Sequence, residues 1–499
     1  MNHKSKQNYL KCPSTTETSI PPLTYDELPN LIMPPQRQGE ATEVDENTEI
    51  PAGFTYLGQM IAHDISFTRL YDPSETPKLR LKSLYGAGPV LMPYLYVHYP
   101  KDLKKTNSLA PPSNVAKGKR KHFYRGIKLR LRKKEVENHV YYDVDRNKQG
   151  MPLMADSRND QHLILSQLHV AFIRFHNAVV DYFAHTDPSL TGIHLLHLTR
   201  STIVQHYQWM IVHFYLKGVL HKDSSVLVEK LIESNDNFIF FAADLPPVLT
   251  LEFSDAVLRM GHSQIAQEYT LSGNNNFQLF NENRNDLRGF IDRFKKGRTP
   301  IMLDWNKFFN LGKKRGPQAS SSIDHIFVHT LKNIPFYAPG HKNLIQNDFF
   351  KAYRNTATGD YYARCLKDAK PEYAPLTIDK LRVLQEFDKF PAEVLTDEYL
   401  QRMPLWLYIL VEAKVINAGN CLGPLGSQIM AEQIIWILKH DPESFIHVPG
   451  FKPNEVFFEW RAFVTQPPTF TPPSIFGIHD IIKFPDYVGE IINNTLSTQ

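Results

Sequence analysis

The chain predicts a mainly α-helical body with long loops and one small β-element, and three features lead to that fold class. From Gln161 onward, apolar residues recur at helical spacing through HLILSQLHVAFIRFHNAVVDYF and again through TRSTIVQHYQWMIVHFYLKGVL. Strand-like alternation is confined to one region, where Ile127, Leu129 and Leu131 interleave with Lys128, Arg130 and Arg132 and HVYYDVD (139–145) can pair as a hairpin. Of the 499 residues, 42% are apolar and 22% charged, enough to bury a large core and to exclude global disorder.

Taken in order, residues 1–50 read as an extended arm, interrupted by Pro21, Pro22, Pro29, Pro34 and Pro35 and ending in an acidic patch from Glu40 to Glu49. A helix follows over 51–70, where Tyr56, Met60 and Ile61 keep helical spacing. Residues 101–125 are a polar, basic loop, and the strand pattern comes next. Beyond the two long helices, further ones are expected at 253–268, 405–417 and 425–439, the last opened by a Gly-Pro turn and closed near Asp441-Pro442. Residues 464–474 are extended and Pro-rich. The expected organisation is an arm (1–50), one body (51–463) and a Pro-rich C-terminal segment (464–499), without internal repeats.

Charge narrows the function classes. Lys+Arg number 56 and Asp+Glu 52, a net +4, yet residues 101–134 alone hold thirteen Lys/Arg against Asp102. A local +12 leaves 4 − 12 = −8 elsewhere, so the chain is no general polycation. A polyanion- or membrane-surface-binding module built on 101–134 competes with a solvated cationic loop, and the loop is preferred because no nucleic-acid-binding motif accompanies the charge. Cys12, Cys365 and Cys421 are too few and scattered for a disulfide framework or zinc cluster. The polar N-terminus carries no secretory h-region, and no apolar run approaches the roughly 18 residues of a spanning helix. A soluble protein of a reducing, cytoplasmic compartment is expected, with leaderless secretion as the other route.

Three constellations carry chemistry. In GFTYLGQMIAHDISFT (53–68), Gln59 and His63 share a helix face and Asp64 points about 100° away. In ADSRNDQHLILSQLHVAFIRFHN (155–177), Arg158 precedes a helix bearing His162, His169 and His176, whose seven-residue spacing is too long for one metal and suits packing or hydrogen-bonded roles. In EFSDAVLRMGHSQI (252–265), Arg259 and His262 lie one helical turn apart and could flank a propionate-bearing cofactor. Alone, the first is better read as an ordinary amphipathic helix with a buried, satisfied histidine, and the third could simply line a polar helix surface.

Together and in this order they resemble the animal-type haem peroxidases of the peroxidase–cyclooxygenase superfamily, more closely a bacterial branch. Gly58, Gln59, His63 and Asp64 stand as the distal motif, Asp156 through Asn177 as the catalytic-arginine element and its helix, and Arg259 to His262 as the proximal motif. Asn343-Leu344 is similar to the segment whose asparagine bonds the proximal imidazole, and 404–435 to the C-terminal helices. The resemblance covers about 50–445 and implies a single large helical haem-peroxidase-like domain over 51–463.

It further implies haem b with His262 as axial iron ligand, Asn343 on the other ring nitrogen, and Arg259 on a propionate. His63 would take a proton from hydrogen peroxide and return it to the leaving oxygen. Arg158 would stabilise charge as the O–O bond breaks, and Gln59 would place distal water or a halide. The donor would be a phenol or a halide.

Departures from the pattern matter equally. The family's two ester-forming carboxylates are replaced by Ala62 and Gln161, and its haem-linked Met by His162, so the haem is expected to be non-covalent and chloride a poorer donor than bromide, iodide or organic molecules. Gln346 stands where an arginine is usual. Asp64 matches a calcium ligand, but Arg80 and Lys82 occupy positions where the branch has acids and would repel a divalent cation. A loop cation is therefore expected to neutralise Asp64 in place of calcium. Arg259 occupies the place of the radical tyrosine of fatty-acid-oxygenating relatives, which disfavours lipid dioxygenation. A haem-binding protein with little turnover is the alternative in another class.

Overall fold

The structure is a computed structural model, and it describes residues 44–71, 75–97, 126–137, 139–273, 275–280, 303–311, 316–334, 340–388, 396–463 and 475–497. Most of the sequence arm (1–43), most of the basic stretch (98–125) and the Pro-rich 464–474 lie outside these residues. The body is helical, as expected. Strand β1 (Glu46–Pro51) leads directly into helix α1 (Ala52–Tyr71) and pairs antiparallel with β6 (Ala319–Ser321), register Glu46↔Ser321. The end of the expected arm is thus a strand joined to the body.

The hairpin forms, but further along than the alternation suggests: β2 (Arg132–Val136) pairs with β3 (His139–Asp143), while Leu129 only bridges to Tyr96. Residues 127–129 are buried and held individually. Asn177 exchanges side-chain hydrogen bonds with both backbone groups of Leu129, and Lys128 forms a buried ion pair with Asp181 at 2.6 Å. Arg130 pairs with Asp145 and Lys133 with Glu135. In the described part of the basic stretch, these cations are engaged with acids of the chain itself.

Helix α2 (Leu163–Thr186) is the central element. It is long and apolar enough to cross a membrane, which the run-length reading missed, but it is buried almost all round inside the body. Helix α3 (Gly192–Met210) continues through a π-turn at Ile211–Tyr215 and a last turn at Leu216–Val219. Helix α4 (Ser224–Glu233) follows. The expected helix at 253–268 does not form. A π-turn at Glu252–Ala256 passes into a 3-10 segment at Val257–His262, and the chain then enters β4 (Glu268–Ser272), which pairs with β5 (Asn275–Gln278). Backbone tightening of this kind marks a local constraint. Here the Arg259 side chain donates to the Ser254 carbonyl at 2.9 Å, across the two turn types.

The remaining helices are α5 (Leu344–Asn355), α6 (Gly359–Ala369), α7 (Ile378–Asp388), α8 (Asp397–Arg402), α9 (Leu405–Asn417), α10 (Pro424–Lys439) and α11 (Ile478–Ser497). α9 and α10 match the expected 405–417 and 425–439. α11 is unforeseen, because Pro-rich 464–474 coloured the reading of everything after it. It packs along α2, where Phe175, Phe457 and Phe484 interlock with ring centroids 4.9–5.7 Å apart. Cys421 is a buried free thiol.

Close packing fixes α1. A Cβ built on Gly58 would sit 2.3 Å from the Tyr215 hydroxyl, which the π-turn of α3 carries against the helix. Gly58→Ala should therefore destabilise the protein by about 1–3 kcal/mol through overpacking. Tyr215→Phe, which removes the clashing oxygen, should restore part of that loss in the double variant, read as a thermal-unfolding cycle.

Candidate active site

Helix α1 is buried on nearly every side. The exceptions between Ala52 and Phe67 are Gln59, Ala62, His63 and Ser66, each partly accessible. Their spacing of three, four and seven places them on one stripe, so this stripe is the accessible face of the helix over these residues. The sequence reading put Gln59 and His63 on one face, and they are there.

His63 Nδ1 lies 2.7 Å from the Asn159 side-chain oxygen, and the Asn159 amide nitrogen lies 3.2 Å from His169 Nδ1. An amide oxygen only accepts, so His63 carries its proton on Nδ1 and keeps a lone pair on Nε2. Asn159 in turn donates to His169, a partner the heptad spacing did not reveal. Burial, then the Arg158 guanidinium, pulls the His63 imidazole down to about 4, with Arg259 adding to the effect; the Asn159 hydrogen bond and Asp156 oppose it. At neutral pH His63 is an uncharged base with its lone pair directed away from Asn159.

Arg158 sits in a 3-10 turn (Ser157–Asp160) capped by Asp156, whose carboxylate accepts the Arg158 backbone N–H. The guanidinium is clamped: Nε and Nη2 donate to Asp156, Nη2 also to the His63 carbonyl at 2.8 Å, and Nη1 to Ser66 Oγ at 2.9 Å. Four of the five guanidinium N–H groups are used, leaving one on Nη1. Arg158 thus straddles the C-terminal side of His63 on α1.

Gln59 is held from both ends of its amide. Its oxygen accepts from His162 Nε2 at 3.0 Å, and its nitrogen donates to the Gln161 oxygen at 3.3 Å. His162 caps α2 through Nδ1, which accepts the Leu165 N–H, so both of its ring nitrogens are committed. Burial, with the His63 charge, pulls His162 down to about 3, and it stays neutral. Two positions that the resemblance marks as lost haem attachments therefore form a lock on Gln59, leaving it one amide N–H for water or a halide. His176, the third heptad histidine, bonds the Ile127 carbonyl and Tyr85, a packing role as expected.

Across the site, Arg259 and His262 lie three apart in a 3-10 segment, where such positions eclipse. The proximal partner expected at Asn343 is elsewhere. The Asn343 oxygen caps α5 by accepting the Gln346 N–H at 3.0 Å, and His262 Nδ1 instead meets Asp348 Oδ2 at 2.5 Å. The reason is helical geometry. Asn343 stands at the cap of α5, whereas Asp348, five residues on, lies on the buried face with its carboxylate on His262. A carboxylate on the apolar side of an amphipathic helix was the signal available in the sequence.

Asp64 is also corrected. Arg80 pairs with Asp441 and Glu443, and Lys82 pairs with Glu75, so neither loop cation neutralises it. Its carboxylate instead accepts from the backbone N–H groups of Leu81 and Ser83 and from Ser83 Oγ, with Lys82 N–H contributing. Leu81 has φ 52, the left-handed conformation that turns successive amides toward one anion. Burial pushes the Asp64 carboxyl up to about 6 against these hydrogen bonds. The donors around Asp64 are backbone amides and one hydroxyl, and they compensate its buried carboxylate. Among the described residues, no group of three or more His, Cys, Asp or Glu side chains could hold a metal ion.

The Asn159 contact yields a measurable consequence. Asn159→Asp places a carboxylate on His63 Nδ1, and the His63 pKa should rise above 4 in an NMR titration of the ring proton. An unchanged titration would mean that Asn159 does not face this ring.

Residues 115–345 match the animal haem peroxidase family, a span that includes Arg158, Arg259, His262 and Asn343 and begins after Gln59 and His63. No curated protein matches the chain by sequence. Among solved structures, a variant of the Oryza sativa fatty acid α-dioxygenase with palmitic acid is similar at TM-score 0.51 and 13% identity, covering 95% of this chain and 80% of that one. The same Oryza sativa enzyme in another structure gives TM-score 0.50, 12% identity, and 95% and 79% coverage. Peroxidase A from Dictyostelium discoideum stands at TM-score 0.49, 14% identity, and 85% and 87% coverage. Residues 115–345 thus match the animal haem peroxidase family, and the mainly α fold is similar to that of the Oryza sativa enzyme.

Proposed function

We propose that the protein is a haem-dependent peroxidase that reduces hydrogen peroxide and oxidises small organic donors, with halides as a second donor class. The observation that carries this reading is the protonation state built around His63, an uncharged imidazole with its Nε2 lone pair kept available beside a fixed guanidinium.

The residues present fit a haem. Nε2 of His63 and Nε2 of His262 have no hydrogen-bond partner among the described residues, and Arg259 Nη2 faces only Asp255, in an ion pair at 3.8 Å. A Cβ on Gly261, beside His262, would meet nothing within 4 Å, so the backbone there is not packed against another element. His262 would be the axial ligand and Arg259 would take a propionate, in a non-covalent haem b since Ala62, Gln161 and His162 offer no carboxylate or thioether. The haem would supply an iron that accepts oxidising equivalents from peroxide.

The chain supplies the proton chemistry. His63 Nε2 takes a proton from one peroxide oxygen and returns it to the other as water leaves. Neutrality at pH 7 is what permits the first transfer, and the low pKa makes the return favourable. The remaining Nη1–H of Arg158 donates to the oxygen on which charge accumulates, from a guanidinium whose position is set before reaction. Gln59, locked by Gln161 and His162, orients water in the same space.

Two further readings are distinguishable. A low-turnover haem binder has no use for a clamped arginine and a tautomerically fixed histidine. A fatty-acid-oxygenating activity would accord with the α-dioxygenase likeness, but Arg259 stands at the tyrosine position the resemblance implies.

Haem titration of the wild type should give a Soret band that His262→Ala abolishes or strongly weakens; absence of haem uptake would overturn the proposal. His63→Leu should retain haem while slowing its reaction with peroxide by about 10²–10⁴-fold. The wild-type rate should be level through neutral pH and fall below about pH 4, where the base becomes protonated. Oxygen consumption with palmitate, in place of donor oxidation, would favour the dioxygenase reading.

A further inference from the structure

Helix α5 buries Leu344, Ile345, Phe349 and Ala352 on its inner face, and Asp348 falls on the same face with 1% of its side chain exposed. A carboxylate so placed needs compensation, because burial disfavours its charge. Its surroundings are sparse. Oδ2 takes the Nδ1–H of His262 at 2.5 Å, and Oδ1 has no hydrogen-bond partner among the described residues. Arg259 Nε stands 3.8 Å from Oδ1, beyond hydrogen-bond reach, and Lys351 and Asp255 belong to the same electrostatic cluster. The one strong hydrogen bond to this carboxylate therefore comes from the imidazole.

An imidazole that donates to a carboxylate bears more negative charge on its other nitrogen than one that donates to a neutral amide. For a metal bound at that nitrogen, the anionic partner favours the higher oxidation state and opposes reduction. The sequence resemblance placed an asparagine in this role, and the structure places a full negative charge there.

The geometry points to Asp348 as a positioning residue that fixes the His262 ring through Nδ1, leaves Nε2 unengaged and makes it a strongly electron-donating iron ligand, holding the bound iron ferric. This inference rests on the haem-peroxidase reading of the same site. It gives the proximal side a carboxylate–imidazole pair, with Arg259 close enough to balance part of the charge. Arg259 Nε donates to the Ser254 carbonyl and its Nη2 lies 3.8 Å from Asp255, so its charge reaches Asp348 through space and not through a hydrogen bond.

The test is the ferric/ferrous midpoint potential of haem-loaded protein, with activity not used as the readout. Asp348→Asn should bind haem to the same stoichiometry as wild type while its midpoint moves to a more positive value, and Asp348→Glu should stay nearer wild type. Full haem occupancy with an unmoved midpoint in Asp348→Asn would overturn the inference while leaving the peroxidase reading intact. Failure of the wild type to take up haem would overturn both.

A second measurement keeps Asp348 in place and does not depend on that variant folding. In His262→Gly, imidazole can donate to Asp348 when it fills the vacated ring space, whereas 1-methylimidazole has no N–H to donate. The imidazole-rescued haem should show the more negative midpoint. Equal midpoints would refute the assignment.

Discussion

Placing a polar, reactive stripe inside an apolar body is the constraint to which the rest of this structure answers. Helix α1 is surrounded by packed elements, yet it carries Gln59, His63, Asp64 and Ser66 within eight residues. A buried polar group without a partner costs about 1–3 kcal/mol, and a buried charge costs more. Each of these side chains is accordingly met by a specific partner from elsewhere in the chain. Asp64 is met by the amides of the 81–83 turn, His63 by Asn159, Gln59 by Gln161 and His162, and Ser66 by Arg158.

These partners make the site directional as well as satisfied. Asn159 decides which nitrogen of His63 holds the proton, and Asp348 does the same for His262. The two imidazoles are left with their Nε2 atoms unengaged among the described residues. Arg158 is immobilised by Asp156, and its charge together with burial keeps His63 neutral. Stability and reactivity therefore draw on the same hydrogen bonds. The π-turn that brings Tyr215 against Gly58 shows how tightly the supporting helices register on α1.

Several local readings survive because they depend on periodicity alone. The helices at 52–71, 163–186, 405–417 and 424–439 have apolar spacing long enough to be seen in any context. The 253–268 region failed because its tightened turns keep i and i+3 neighbours together and so mimic a helix. The tail helix 478–497 was obscured by the proline-rich stretch before it. The hairpin was found and misplaced by several residues, since Ile127 and Leu129 are buried by tertiary contacts outside the strand pair.

By itself, then, the sequence determined the helical class and the shared face of Gln59 and His63, because these follow from spacing along one chain. Tertiary structure alone decided the partners. Asp348 displaced Asn343, backbone amides displaced a loop cation at Asp64, and Gln161 with His162 became a lock on Gln59. Hydrogen-bond partners separated by 17 to 103 residues are set by how helices cross. A side chain's chemistry states what it can bond to, and only the packed fold states which of its possible partners arrives.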